Sequence, residues 1–157
     1  MSSVFDSHQR ATIQAATARI IPTDHDPGAL EAGVIDYIER ALSGHAKRSA
    51  QLYLDGVVEL DRLTLEQFGV EAFAALGPAE QDEILRSLEQ GASRFFAVLL
   101  EHTMEGFYGD PRHGGNKNRV GWKMIGFPGP SFPKGYEPPL GWYDANELDE
   151  FGSAKKR

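Results

Sequence analysis

Apolar residues along the first two thirds of the chain recur three and four positions apart, the spacing of a helix with one buried face. Ile13, Ala16, Thr17 and Ile20 share a face within Asp6 to Ile21, where Ser7 is the expected cap and Pro22 the stop. A second helix is expected from Pro27, with Asp26 as N-cap. Its stripe is Val34, Ile35, Ile38 and Leu42, and Ser43-Gly44 ends it. From His45 to Phe68 the apolar positions Leu52, Val57, Leu60, Leu63 and Leu65 predict one bent helix or two, with Gly56 and Thr64 as weak points. Gly77-Pro78-Ala79-Glu80-Gln81 opens a fourth helix with Ile84, Leu85 and Leu88 facing inward, and Gly91 breaks it. The fifth, Ala92 to Tyr108, carries Phe95, Phe96, Val98, Leu99, Leu100, Met104 and Phe107 on more than one stripe, which predicts a central position. No strand pattern of comparable length occurs. The expectation is an all-α fold: an irregular bundle of about five helices over residues 6–108.

After Tyr108 the pattern changes. Residues 109–157 hold nine of the seventeen glycines, six of the nine prolines and both tryptophans. Trp122, Met124, Ile125, Phe127, Phe132, Tyr136, Leu140, Trp142 and Tyr143 are too much apolar surface to leave in water. Residues 109–143 are therefore expected to be an ordered but mostly non-regular segment packed on the core, on a partner, or on both. Residues 144–157 end in Lys-Lys-Arg and read as a polar tail. The whole is read as one domain, a size that 157 residues suit.

Charge sharpens this division. Residues 1–108 carry 8 Lys+Arg against 17 Asp+Glu, a net of −9, and residues 109–157 carry 8 against 6, a net of +2. An acidic body argues against nucleic-acid binding, which requires cations on phosphate. Arg112, Lys117, Arg119 and Lys123 cluster in sequence, and contact with an acidic partner surface is one reading of them, a solvated loop the other. No apolar run is long enough to insert in a membrane. With no cysteine, the chain itself holds no disulfide, thiolate or iron–sulfur ligand.

Three constellations bear on chemistry. Gly114-Gly115 beside Asp110, Arg112, His113 and Asn116 would suit an anion, but phosphate loops place their glycines between a strand and a helix. His102, Glu105, Asp110 and His113 would make the metal site of a stand-alone enzyme, although no H-E-x-x-H is present. His25 between Asp24 and Asp26 has the composition of an acid–base cluster and equally that of a turn. None completes a known catalytic arrangement, so no catalytic, cofactor or metal residue is assigned. Glycines that let backbones approach, prolines that fix turns, and tryptophan with arginine together describe an interface better.

The run T-M-E-G-F-Y-G-D-P-R-H-G-G-N-K-N-R-V-G-W-K-M-I-G-F-P-G, Thr103 to Gly129, resembles the gluconate 2-dehydrogenase subunit 3 family. R-I-I-P-T-D-H-D-P-G-A-L-E-A-G-V-I-D-Y-I, Arg19 to Ile38, is similar to that family's N-terminal element, and the resemblance spans residues 6–142. It implies a non-catalytic small subunit of a dehydrogenase acting on sugars, sugar acids or polyols. The FAD would then sit in a large partner subunit of the glucose-methanol-choline type. Iron–sulfur or haem groups would belong to further partners such as a cytochrome c subunit. The small subunit's task would be to bind, stabilise and mature the large one. Phe107, Tyr108, Asp110, Arg112, Gly114, Gly115, Asn116, Trp122, Lys123, Phe127 and Pro128 are expected to touch the partner or to shape what does. Trp122 and Phe127 are expected as apolar anchors, or else packed inward while the cations meet the partner. Many relatives start with a twin-arginine export signal. None is present here, so the expectation is a cytoplasmic protein, or a periplasmic one if the signal was removed or the partner carries it.

Overall fold

The computed structural model describes residues 3–130, and those residues contain seven α-helices and no strand. The helices are α1 (Ser7–Ile20), α2 (Ala29–Ala32), α3 (Val34–Ser43), α4 (Ala50–Phe68), α5 (Pro78–Gln90), α6 (Arg94–Tyr108) and α7 (Val120–Met124). Among the described residues no helix is long and apolar enough to cross a membrane. The expectations for Phe132, Tyr136, Leu140, Trp142 and Tyr143, and for the polar tail, lie outside the described residues. The chain divides into two compact units, Met1–Gly121 and Trp122–Arg157. Residues 109–121 thus belong with the helical core.

Local chemistry explains the helix ends. Asp6, not Ser7, caps α1: its carboxylate accepts from the Gln9 amide at 2.8 Å, and the Gln9 side chain accepts from the Asp6 amide at 3.0 Å. The expected second helix is two. Gly28 rather than Asp26 starts it, and Gly33, left-handed at φ +66°, separates α2 from α3. A glycine there allows a turn of chain direction that a Cβ would resist. The third segment forms a short 3-10 turn, Lys47–Ser49, and then one uninterrupted helix, α4. Gly56 does not break α4, because it is where α4 receives α6. A Cβ at Gly56 would lie 2.3 Å from the Phe95 ring.

The core is built around α6, which packs against α1, α3, α4 and α5. Phe95, Leu99, His102, Thr103, Gly106 and Phe107 form its buried face. Leu100 and Met104 are 38% and 43% exposed, so α6 is central on one side only. Gly106 repeats the device of Gly56: a Cβ there would sit 2.9 Å from Cδ1 of Tyr37 on α3. Around the core, Arg19 of α1 holds Asp82 of α5 at 2.7 Å, and His8 of α1 meets Asp61 of α4 at 2.6 Å.

Candidate functional site

The segment after α6 folds back on the end of that helix. A helix leaves its last carbonyls without internal partners. Here Asn116 takes two that belong to α6 and its cap: its backbone N–H donates to the Gly106 carbonyl at 2.7 Å, and its Nδ2 donates to the Gly109 carbonyl at 2.8 Å. Its Oδ1 accepts the Gly121 N–H at 2.9 Å, which fixes the start of α7. Asn116 is fully buried and left-handed at φ +47°, a conformation asparagine adopts more readily than most residues. Two glycines make room for this latch. A Cβ on Gly115 would lie 2.1 Å from the Gly106 carbonyl oxygen, and one on Gly121 would lie 2.0 Å from that of Phe107.

The loop joining α6 to the latch is held from α3. Asp110 caps the 3-10 turn Pro111–His113 by accepting the Arg112 N–H at 2.9 Å, and it binds the Arg112 guanidinium at 3.0 and 2.7 Å. Those bonds hold the Asp110 carboxyl at about 2, below the usual carboxylate range. Arg40 of α3 donates to the Arg112 carbonyl at 2.7 Å. Lys117 lies along Gly33 and pairs with Asp36 of α3, which also binds Arg10 of α1 at 2.6 Å. Burial alone would raise the Asp36 carboxyl, but the two cations hold it below its ordinary value.

Gly114, Gly115 and Asn116 are therefore structural within the loop, and Phe107, fully buried, belongs to the core. Tyr108 packs edge-on to Phe107 with centroids 4.8 Å apart. The glycine pair follows helix α6 and serves close backbone approach, not an anion cradle. The four residues of the metal reading are separated in function. His102 Nδ1 lies 2.9 Å from the Tyr53 hydroxyl in the interior, and Glu105 accepts from the Tyr37 hydroxyl at 2.6 Å. Asp110 is committed to Arg112, while the exposed His113 lines an open groove of about 670 Å³ with Tyr37, Arg40 and His45. Among the described residues, the one His/Asp/Glu group with ligand atoms close enough for a metal is Asp24, His25 and Asp26. All three are exposed, and Asp24 accepts the Asp26 N–H at 2.8 Å as turn residues do.

In the second unit, the end of α7 shows why Trp122 and Phe127 meet. The Phe127 N–H donates to the Trp122 carbonyl at 2.8 Å, and the Gly126 N–H to that of Lys123 at 3.2 Å. Gly126 is left-handed at φ +69°. This six-to-one and five-to-two bonding around a left-handed glycine brings the residues at its two ends together. The Trp122 and Phe127 rings accordingly pack edge-on with centroids 5.0 Å apart. Trp122 is buried, Phe127 is 39% exposed, and Lys123, Met124, Ile125 and Pro128 are exposed. Sequence reasoning overlooked Gly106, Gly121, Tyr37 and Asp36, the residues that receive the loop. A glycine inside an otherwise apolar helix was the available signal for Gly106.

Across these helices and the latch, residues 7–129 match the family model described as gluconate 2-dehydrogenase subunit 3. The chain belongs to that family. No curated protein and no solved structure matches it. By the family's description, members are a subunit of a dehydrogenase, and in this subunit 3 chain the match covers all seven described helices.

Proposed function

We propose that this subunit 3 protein is a non-catalytic partner of an FAD-carrying large subunit of the glucose-methanol-choline type, which it binds, stabilises and helps to mature. The substrate class would be a sugar, sugar acid or polyol, oxidised on the large subunit. The observation that carries the reading is the family match over residues 7–129. The loop geometry supports it. Asp110, Gly114, Gly115 and Asn116 spend their polar groups and their lack of side chain on holding residues 109–121 against α6 and α3. That rigidity serves presentation: a preorganised surface loses less entropy on binding than a loose one.

On this reading Phe107, Tyr108 and Trp122 shape the surface, and Lys123, Phe127 and Pro128 meet the partner. Arg112 has its guanidinium on Asp110 but is 81% exposed, so it stays accessible to an acidic group. Co-expression with the flavoprotein tests this directly. Phe127→Ala is expected to leave the helical circular dichroism unchanged and to weaken co-purification, with a loss of about 2 kcal/mol in binding if Phe127 is a hot spot. A wild-type chain that fails to form any complex with such a flavoprotein on size exclusion would refute the proposal.

A further inference from the structure

Two adjoining 3-10 turns, Pro111–His113 and Lys117–Arg119, touch one another and carry most of the cations in this part of the chain. Most of these charges are already engaged. Arg112 binds Asp110, Lys117 binds Asp36, and Arg40 donates to the Arg112 carbonyl. Arg119 differs. Its side chain is exposed and, among the described residues, no hydrogen bond or ion pair involves its guanidinium.

The backbone makes this unpartnered cation more telling. Asn116, Asn118 and Arg119 are all left-handed, at φ +47°, +56° and +58°. Asparagine tolerates that region because its short polar side chain bonds locally, whereas arginine meets the full Cβ–carbonyl conflict. Asparagine serves at two of these three positions and glycine at Gly114, also left-handed at φ +107°. A turn that only needed its shape would be more stable with one of them at position 119. The Arg119 N–H bonds the Asn116 carbonyl at 2.9 Å, but no side-chain hydrogen bond or ion pair among the described residues offsets the strain of arginine there, and such strain points towards function.

We infer that Arg119 is a docking cation, held out by a strained turn to pair with a carboxylate on the large flavoprotein subunit; this rests on the accessory-subunit reading above. The planar guanidinium suits a bidentate carboxylate, and a cation desolvated at an interface needs an anion opposite it. Nucleic-acid phosphate is disfavoured as the acceptor by the chain's net charge of −7.

The test uses the full chain co-expressed with the flavoprotein, in wild type and as Arg119→Asn, Arg119→Gly and Arg119→Lys. Arg119→Asn is expected to hold or raise the melting temperature of the full chain, by roughly 2–4 °C. The same variant should weaken the complex about tenfold or more at low salt, and its affinity should fall less steeply as salt is added. Arg119→Lys, which keeps the charge and loses the fork, should fall between. Wild-type affinity and salt dependence in both Arg119→Asn and Arg119→Gly would overturn the inference, and so would a clear drop in melting temperature in both. Retained flavoprotein binding with lost binding of anionic vesicles or oligonucleotides would overturn it in favour of a phosphate-bearing partner. Failure of the wild type to bind the flavoprotein would instead remove the subunit reading, and is told apart because no variant is needed to see it.

Discussion

Four hydrogen bonds meet at Asn116, a single buried, left-handed residue: its backbone N–H and Nδ2 donate to α6 and its cap, its Oδ1 accepts from Gly121 and its carbonyl from the Arg119 N–H. Replacing it with alanine would orphan the Gly109 carbonyl and the Gly121 N–H; the expected loss is about 2–4 kcal/mol in a denaturant melt. Thr12 gives the opposite case. Its hydroxyl is buried and has no hydrogen-bond partner, so Thr12→Val should gain about 1 kcal/mol by thermal unfolding. His102 makes stability depend on pH. Burial lowers its pKa, against the pull of Glu105 and Glu101, with His45 adding to the lowering. The unfolded chain therefore takes up the proton first as pH falls below about 6.5, and stability should decline from there down to the folded pKa. Denaturant melts across that window should show a shallower slope in His102→Gln; an unchanged slope would mean another group is responsible.

Between elements, the recurring device is a glycine under an aromatic ring or a carbonyl. Gly56 accepts Phe95, Gly106 accepts Tyr37, and Gly115 and Gly121 accept backbone carbonyls of α6. The two classes should respond differently to alanine. A ring can tilt, so Gly106→Ala is expected to cost about 1–3 kcal/mol and to loosen the Tyr37–Glu105 bond. The Gly115 contact is with a helix carbonyl that cannot move without unwinding the last turn of α6, so Gly115→Ala should cost more. Urea melts of both variants decide the order; a smaller loss at Gly115 would show that the loop gives way instead. Sequence periodicity found the long helices because it is a property of neighbours three and four apart. It did not find that Gly33 splits the second helix, nor that α7 follows the latch, since each is held from another part of the chain.

For the molecule as a whole, exposed apolar residues gather at the end of the described chain, where Met124, Ile125 and Phe127 are 45%, 54% and 39% exposed. Such a run is unusual on a surface that faces only water. Ile125→Ser should reduce concentration-dependent association of the isolated chain in sedimentation velocity, while weakening its complex with the flavoprotein. Reduced self-association with no change in the complex would place the partner's contact elsewhere.

The sequence alone carries the helical class, the stops at Pro22, Gly44 and Gly91, and the two blocks that identify the family, because these are short-range patterns of residue type. It also marked Gly114-Gly115-Asn116 as special without showing what they serve. The folded chain is needed to see that they close α6, that Trp122 is buried while Phe127 is partly exposed, and which cations are already paired. Lys117 with Asp36 and Tyr37 with Glu105 are 81 and 68 residues apart in sequence, and no local period encodes such a meeting. Those pairings follow from how the helices pack, and they leave Arg119 as the left-handed cation whose partner must be sought beyond the described residues.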